Sequence, residues 1–275
     1  MSPLLLALIG TSFTCFATIL GSATVYFFRK EIPRSFQRAF LGFAAGVMIA
    51  ASVWSLLIPA MEMAEEQQNI PWIPAAGGLI AGVAFLMLLD QLLPHLHPGS
   101  TEPEGPRSSL ARTTLLVFAV TLHNIPEGLA VGLAFGLAGG ENAITLSGAI
   151  ALSLGMALQN FPEGAAISLP LKKEGYSNRK SSFYGALSGI VEPVAGVVGV
   201  LLAGGVSAMM PWLLAFAAGA MLYVVVEELI PEAHLGEHSH TGTLSVMAGF
   251  LLMMVLDTAL GNRSSRFILR TFNSY

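Results

Sequence analysis

The sequence predicts an all-α integral membrane protein with eight transmembrane helices. Hydrophobic residues make up 54% of the chain and charged residues only 11%, whereas an ordinary soluble domain has about 25% charged residues. Uncharged stretches long enough to cross a bilayer, about 20 residues, cover residues 1–28, 39–61, 67–89 and 193–226. The remaining spans each contain an internal acidic residue within an apolar sequence.

The predicted spans form one transmembrane domain over residues 1–275. In chain order they cover residues 3–28, 38–60, 73–93, 112–138, 143–171, 182–204, 208–230 and 242–261. The first span has no basic segment before it and is too long for the apolar part of a signal peptide, so we expect it to be retained. Cys15 is the only cysteine, which excludes a disulfide within the chain.

The basic residues orient these helices. Ten of the thirteen lie around the first, third and fifth loops: Arg29, Lys30, Arg34, Arg38, Arg107, Arg112, Lys172, Lys173, Arg179 and Lys180. The positive-inside rule therefore makes the odd loops cytoplasmic and places the N-terminus outside, with a flexible cytoplasmic loop at 94–112. Arg263, Arg266 and Arg270 oppose this orientation, and a cytoplasmic tail would mean that one helix has been miscounted.

Two matching hexapeptides lie in the middle of the fourth and fifth spans. They read His-Asn-Ile-Pro-Glu-Gly at residues 123–128 and Gln-Asn-Phe-Pro-Glu-Gly at residues 159–164. In a helix, the first, second and fifth residues of each copy face the same side. Each copy therefore predicts one cluster of polar side chains at mid-membrane.

The acidic residue of each hexapeptide, Glu127 or Glu163, is unfavourable in a bilayer. One ionised carboxylate near the bilayer centre costs roughly 2.5 to 3.5 kcal/mol, and a bound divalent cation removes much of that penalty. The alternative interpretation is a proline kink with an incidental acid. A second copy, also at mid-span, argues against it.

The proline and glycine of each copy support a ligand site. Pro126 and Pro162 cannot donate to the carbonyl four residues earlier, so they free a carbonyl oxygen and are expected to kink the helix. Gly128 and Gly164 allow another helix to approach closely at the same level.

Further acids lie within or at the ends of other spans. Glu192, followed by Pro193, lies about ten residues into the sixth span and is our third carboxylate for the central site; a buried acid paired with a polar neighbour is the alternative. Asp257 either lines the path of a transported ion or pairs with a polar neighbour. Glu227 and Glu228 are interpreted as solvated charges at the end of the seventh span, although Glu228 is also a candidate exit ligand.

Five of the six histidines lie in two predicted cytoplasmic loops. His95 and His97 are in the third loop, and His234, His238 and His240 are in the seventh. They are either involved in metal handling or exposed without a ligand role.

The mid-membrane set combines three carboxylates, one imidazole and three amides. Its members are His123, Asn124, Glu127, Gln159, Asn160, Glu163 and Glu192. Imidazole with carboxylate suits Zn(II) and Fe(II), and amide oxygens tolerate Mn(II). Without a thiolate, such a site binds a metal without trapping it, as a transporter requires.

The fourth and fifth spans run in opposite directions, so the two hexapeptides are antiparallel. A pseudo-two-fold axis in the membrane plane would bring Glu127 and Glu163 face to face, where they could bridge two ions, as in inverted-repeat transporters. This predicts a central metal site on a transport path.

An intramembrane metal-dependent enzyme is the rival class. The chain has no His-Glu-x-x-His string of a metalloprotease and no Gly-x-x-x-x-Gly-Lys phosphate loop. A metal sensor would need a signalling domain, for which there is no room, whereas metal binding without transport stays open. We expect a transporter and not an enzyme, and no nucleic-acid partner.

The hexapeptide pair resembles the metal motif of the ZIP family of divalent-metal transporters, and more closely that of its bacterial members. The resemblance extends over residues 41–261 and includes Glu192-Pro193 and the Ile-Pro-Glu-Ala-His string at 230–234. It implies an eight-helix transporter of the bacterial inner membrane, often a homodimer. It also implies an elevator-like movement of one helix group against another.

The same resemblance implies two metal positions and no catalytic cofactor, because the metal is the cargo. The first position would comprise His123, Glu127, Gln159 and Glu163, and the second would add Asn124, Asn160 and Glu192 to the bridging Glu127 and Glu163. Many relatives have His at the position of Gln159, and some have Asp at that of Asn160. These departures imply a broader substrate range, namely Zn(II) with Fe(II), Mn(II), Co(II) or Cd(II) as further transported ions.

Overall fold

The computed structural model describes residues 1–27, 33–92, 112–138, 144–205, 207–234 and 240–260, and every regular element within them is helical. The all-α class is therefore confirmed for this part of the chain. Most of the predicted flexible loop at 94–112 lies outside the described residues. So do His95, His97 and His238 and the C-terminal Arg263, Arg266 and Arg270.

Eight long helices run through the described residues. They are α1 (Pro3–Tyr26), α2 (Ser35–Glu66), α3 (Trp72–Leu92), α4 (Arg112–Leu137), α5 (Leu146–Lys173), α6 (Asn178–Gly205), α7 (Met210–Ala233) and α8 (His240–Leu260). Six of them, all but α4 and α5, are long and apolar enough to cross a membrane. The chain is therefore a multi-pass membrane protein.

α2 and α7 extend beyond their predicted ends, at 60 and 230, for the same reason. Each widens into a π turn, Ser52–Leu57 in α2 and Val225–Leu229 in α7, immediately before an Ile-Pro pair. Proline has no N–H and its ring crowds the carbonyl four residues earlier, so the wider turn absorbs the defect and the helix continues.

α6 is broken, whereas the sequence predicts a continuous span. It consists of Asn178–Gly189 and Val191–Gly205, with Ile190 between them. Pro193 falls in the first turn of the second segment, where its missing N–H removes no helical hydrogen bond. Glu192 therefore lies in the first turn of a new segment, where the helix dipole favours a carboxylate.

The helices pack in four close pairs, α1 with α5, α2 with α8, α3 with α7 and α4 with α6. Glycines bring the backbones together. A Cβ atom added at Gly46 would lie 2.0 Å from the carbonyl oxygen of Val246, and one added at Gly82 would lie 2.1 Å from that of Phe216. Small residues play this role in membrane helix pairs because they allow extensive van der Waals contact.

The pairs assemble into two groups. α1, α4, α5 and α6 pack around one another and form what we call the site group, because it carries the two hexapeptides. α2, α3, α7 and α8 form the flanking group through the contacts of α2 with α7 and α8 and of α3 with α7. The two groups meet where α5 packs against α2 and α8, and where α4 packs against α7.

Candidate metal centre

All seven residues predicted for the central site are buried, none being more than 6% exposed. α4 and α5 remain helical through the prolines of the hexapeptides. His123, Asn124 and Glu127 come from α4, the second hexapeptide's three polar residues from α5, and Glu192 from α6. The structure thus places polar residues from three helices in the interior of the site group.

The glycines of the hexapeptides bring the neighbouring helices to the site, as predicted. A Cβ atom added at Gly128 would lie 2.4 Å from the carbonyl oxygen of Glu192 in α6. One added at Gly164 would lie 2.0 Å from the carbonyl oxygen of Thr18 in α1. The contact at Gly128 places Glu192 beside the first hexapeptide, and Glu127 is within electrostatic range of both Glu163 and Glu192.

Six buried oxygens of this set have no hydrogen-bond partner within the described chain. They are Asn124 Oδ1, Glu127 Oε1 and Oε2, Gln159 Oε1, Glu163 Oε2 and Glu192 Oε2. The amides of Gln159 and Asn160 lie beside Glu127, but neither reaches it with hydrogen-bond geometry. A buried polar atom without a partner costs about 1 to 3 kcal/mol. A cation bound among these residues would satisfy such acceptors.

Hydrogen bonds fix the orientation of the three amides. Asn124 Nδ2 donates to the carbonyl oxygen of Ser188 at 2.9 Å, and Asn160 Nδ2 donates to that of Thr14 at 3.4 Å. Gln159 Nε2 donates to Asn160 Oδ1. Asn124 and Gln159 therefore keep a free side-chain oxygen, whereas the oxygen of Asn160 is occupied.

Glu228 joins the site from α7. Its Oε1 lies 2.9 Å from His123 Nε2, its side chain is 7% exposed, and it is within electrostatic range of Glu163. The interpretation of Glu228 as a solvated end charge is wrong, because α7 continues past Pro231 and keeps Glu228 inside the protein. The interpretation as a solvated charge does fit Glu227, whose side chain is exposed.

Glu192 and Asp257, the other two acids predicted to matter within spans, each have a hydroxyl partner. Thr18 Oγ1 donates to Glu192 Oε1 at 3.3 Å, while the second oxygen of Glu192 has no partner. Ser55 Oγ donates to Asp257 Oδ1 at 2.6 Å, so the pairing predicted as one alternative for Asp257 is confirmed. Asp257 and Ser55 also line a small cavity with Thr145 at the start of α5.

The described residues contain no group of three His, Cys, Asp or Glu side chains close enough together to hold one ion. A ligand set built on these residues would therefore have to include the free amide oxygens of Asn124 and Gln159. His123 would also have to leave Glu228 before its Nε2 could bind a metal.

Comparison with known proteins identifies the family. The family model described as "ZIP Zinc transporter" matches residues 104–257. The chain is 38% identical over 332 residues to "Zinc transporter ZIP11" of Xenopus tropicalis, covering 94% of this chain and 98% of that protein. It is 39% identical over 248 residues to "Zinc transporter GufA" of Myxococcus xanthus, covering 89% and 95%, and 38% identical over 259 residues to "Zinc transporter ZIPB" of Bordetella bronchiseptica, covering 93% and 81%. The chain therefore belongs to the ZIP family of zinc transporters.

Proposed function

We propose that this protein carries Zn(II) across a membrane and that the mid-membrane residues of the site group are its transient ligands. One observation carries the proposal: six buried acceptor oxygens without partners, gathered from α4, α5 and α6 around the two hexapeptides. Relatives along nearly the whole chain are named zinc transporters, which supports the same substrate. Fe(II), Mn(II), Co(II) and Cd(II) are proposed as further substrates because two amides contribute free oxygens.

In the proposed topology all eight long helices cross the membrane. α4 and α5 contain 26 and 28 residues, which is more than the roughly 20 that a span requires. The polar side chains of their hexapeptides are buried within the protein and not exposed to lipid.

We further propose two metal positions that share Glu127 and Glu163. Both oxygens of Glu127 and one oxygen of Glu163 are free, which suits bridging carboxylates. The first position would add His123 and Gln159, and the second would add the other two amides and Glu192. Asn160 would have to give up the hydrogen bond from Gln159 before its oxygen could bind a metal.

An elevator-type movement is our proposal for alternating access. All seven proposed ligands lie on the site group, whereas Glu228, the partner of His123, lies on the flanking group. Displacing one group relative to the other would separate His123 from Glu228 and leave the ligand set intact. The pseudo-two-fold arrangement remains part of this proposal and is supported by the matching π turns before Ile-Pro in α2 and α7.

We also propose that the protein works as a homodimer in a bacterial inner membrane. α3 is a candidate contact for the second copy, because it presents exposed apolar side chains that include Ile73, Ile80 and Leu88. Cross-linking single cysteines placed at these positions in native membranes tests this, and an absence of cross-linked dimer at all three would contradict α3 as the contact.

The test of the proposed function is metal flux into vesicles containing the purified protein, with and without a pH gradient. The parent protein is expected to take up zinc. Glu127→Ala and Glu163→Ala are expected to reduce uptake to that of empty vesicles, because each removes a shared ligand. Glu66→Ala is the matched control, since Glu66 is an exposed acid at the end of α2.

If both ligand variants transport zinc as well as the parent does, the proposal is wrong. Hydrolysis of an added peptide, with no zinc flux, would instead favour the rival class, an intramembrane metal-dependent enzyme.

A further inference from the structure

α1 contributes no hexapeptide residue, yet one of its faces is lined with hydroxyl groups. Thr11, Thr14, Thr18 and Ser22 recur every three or four residues, as one face of a helix requires, and all four are fully buried. This face contacts α5 and α6. A Cβ atom added at Gly189 of α6 would lie 3.2 Å from Thr18 Oγ1.

Three of these hydroxyls are satisfied within α1 itself. Thr11 Oγ1 donates to the carbonyl oxygen of Ala7 at 2.7 Å, and Thr14 Oγ1 donates to that of Thr11 at 2.9 Å. Ser22 Oγ donates to its own helix in the same way, at 2.8 Å. Such bonds are the usual arrangement for a hydroxyl in a membrane helix and imply no further role.

Thr18 differs because its hydroxyl meets an acceptor outside α1 with hydrogen-bond geometry, whereas Thr14 lies near the same carboxylate but donates to its own helix. Its Oγ1 is 3.3 Å from Glu192 Oε1 and 3.4 Å from the carbonyl oxygen of Thr14. The hydroxyl has one proton to donate, and the Thr14 carbonyl already accepts from Asn160 Nδ2. A carboxylate is the stronger acceptor, so the proton of Thr18 goes to Glu192.

The two oxygens of Glu192 are consequently in different positions. Oε1 accepts from Thr18, whereas Oε2 is buried without a partner. We infer that Thr18 is a positioning residue, which holds Glu192 by Oε1 and leaves Oε2 to bind a divalent metal through a single oxygen. This inference rests on the proposed function, and it assigns to α1 a role in shaping the second metal position.

The same hydrogen bond has a consequence for selectivity. A carboxylate that accepts a hydrogen bond at one oxygen binds a metal with the other oxygen only. This suits Zn(II), which usually has four ligands in a tetrahedral arrangement. A carboxylate free at both oxygens can chelate, which favours larger ions with more ligands. Removing the Thr18 hydroxyl should therefore weaken zinc binding and shift the preference towards the larger Cd(II).

The test compares three variants of the full-length protein. Thr18→Val removes the hydroxyl and keeps the side-chain shape, and Thr18→Ser keeps the hydroxyl. Thr11→Val is the matched control, because Thr11 is equally buried on the same face and its hydroxyl bonds only to its own helix. Should Thr18→Val not yield folded protein, Thr18→Ala removes the same hydroxyl without a methyl group against Gly189.

Two measurements are made on each variant, zinc binding by calorimetry in detergent and competition between Zn(II) and Cd(II) for uptake into vesicles. Loss of a residue that orients a metal ligand typically weakens affinity 10- to 100-fold. We expect about a 10-fold weaker zinc-binding step and a lower Zn/Cd uptake ratio for Thr18→Val. Thr18→Ser and Thr11→Val should match the parent in both measurements.

Unchanged zinc binding and an unchanged Zn/Cd ratio in Thr18→Val would overturn the inference. Equal losses in Thr18→Ser or Thr11→Val would also overturn it, because they would show a packing defect. If the parent binds zinc without transporting it, the proposed function fails. The difference in zinc affinity between Thr18→Val and Thr18→Ser still decides the role of Thr18. A parent that binds no zinc would overturn both proposals.

Discussion

The two hexapeptides have closely similar sequences, but different parts of the molecule hold them. The first copy reaches across to the flanking group, where His123 contacts Glu228 of α7. The second copy is held within the site group, because Gln159 donates to Asn160, and Asn160 donates to the Thr14 carbonyl of α1. The first copy thus has a polar side chain bonded to the flanking group. The amides of the second copy are bonded only within the site group, although its Phe161 packs against Phe40 of α2.

This difference assigns the two copies separate tasks in the proposed transport cycle. In that cycle, movement between the groups would change the surroundings of the first copy directly, because its imidazole would exchange Glu228 for a metal. Gln159 and Asn160 of the second copy would keep their hydrogen bonds, because both bonds lie within the site group. We therefore expect changes in the first copy to alter release rates, and changes in the second copy to alter affinity and selectivity.

The largest effect is expected when the helix contacts behind the two copies are broken. A methyl group added at Gly164 would lie 2.0 Å from the Thr18 carbonyl oxygen, and one at Gly128 would lie 2.4 Å from the Glu192 carbonyl oxygen. Overpacking of this kind costs roughly 1 to 3 kcal/mol or more, and backbone atoms cannot move aside as a side chain can. Gly164→Ala should lower the thermal unfolding midpoint more than Gly128→Ala.

Gly204→Ala is the control for this pair, because an added Cβ atom there meets nothing within 4 Å. The unfolding midpoint of each of the three variants is measured on purified protein in detergent, as the temperature at which monodisperse protein is lost. Equal midpoints for Gly164→Ala and Gly204→Ala would show that α1 and α5 are not in close contact at this level.

An intermediate effect is expected from Glu228→Ala, which removes the partner of His123 on the flanking group. His123 then stays available to the metal, so zinc should bind at least as tightly as in the parent. Release should slow because no carboxylate competes for the imidazole, and we expect a maximum uptake rate about 10-fold lower. Calorimetry and vesicle uptake separate the two quantities.

His123→Ala provides the contrast, because it should weaken binding as well as transport. A Glu228→Ala protein that binds zinc much more weakly would contradict the exchange and would make Glu228 a ligand of the resting site.

The sequence predicts those parts of the structure that depend on neighbouring residues. The long helices follow from apolar stretches, and the burial of Glu127 and Glu163 follows from their position within them. The close approaches at Gly128 and Gly164 were likewise predictable, since a helix pair needs a small residue where the backbones meet.

The contacts that the sequence did not predict join helices far apart in the chain. Thr18 and Glu192 are 174 residues apart, and no local pattern distinguishes Thr18 from the other hydroxyls of α1. Glu228 was predicted at a helix end because the seventh span was predicted to end at residue 230, whereas α7 continues to Ala233. The break in α6 had a usable signal, namely Gly189 followed by Pro193, which marks the end of one segment and the first turn of the next.

The smallest effect is expected from Gln159→His, which makes the second hexapeptide resemble the first. Imidazole binds Zn(II) more strongly than an amide oxygen, which suits harder ions such as Mn(II). The substitution also removes the hydrogen bond from Gln159 to Asn160 and frees the oxygen of Asn160 for a metal. Both changes occur inside the site group, so selectivity should change while the contact of His123 with Glu228 stays intact.

Competition between Zn(II) and Mn(II) for uptake measures this effect, and we expect a several-fold rise in the preference for zinc with little change in the maximum rate. Asn160→Ala is the companion variant, because it removes the acceptor of the same hydrogen bond without adding an imidazole. If Gln159→His leaves the competition unchanged, Gln159 does not contact the transported metal. If Gln159→His instead slows uptake as strongly as Glu228→Ala does, the second hexapeptide also takes part in release, and the separation of tasks between the two copies is wrong.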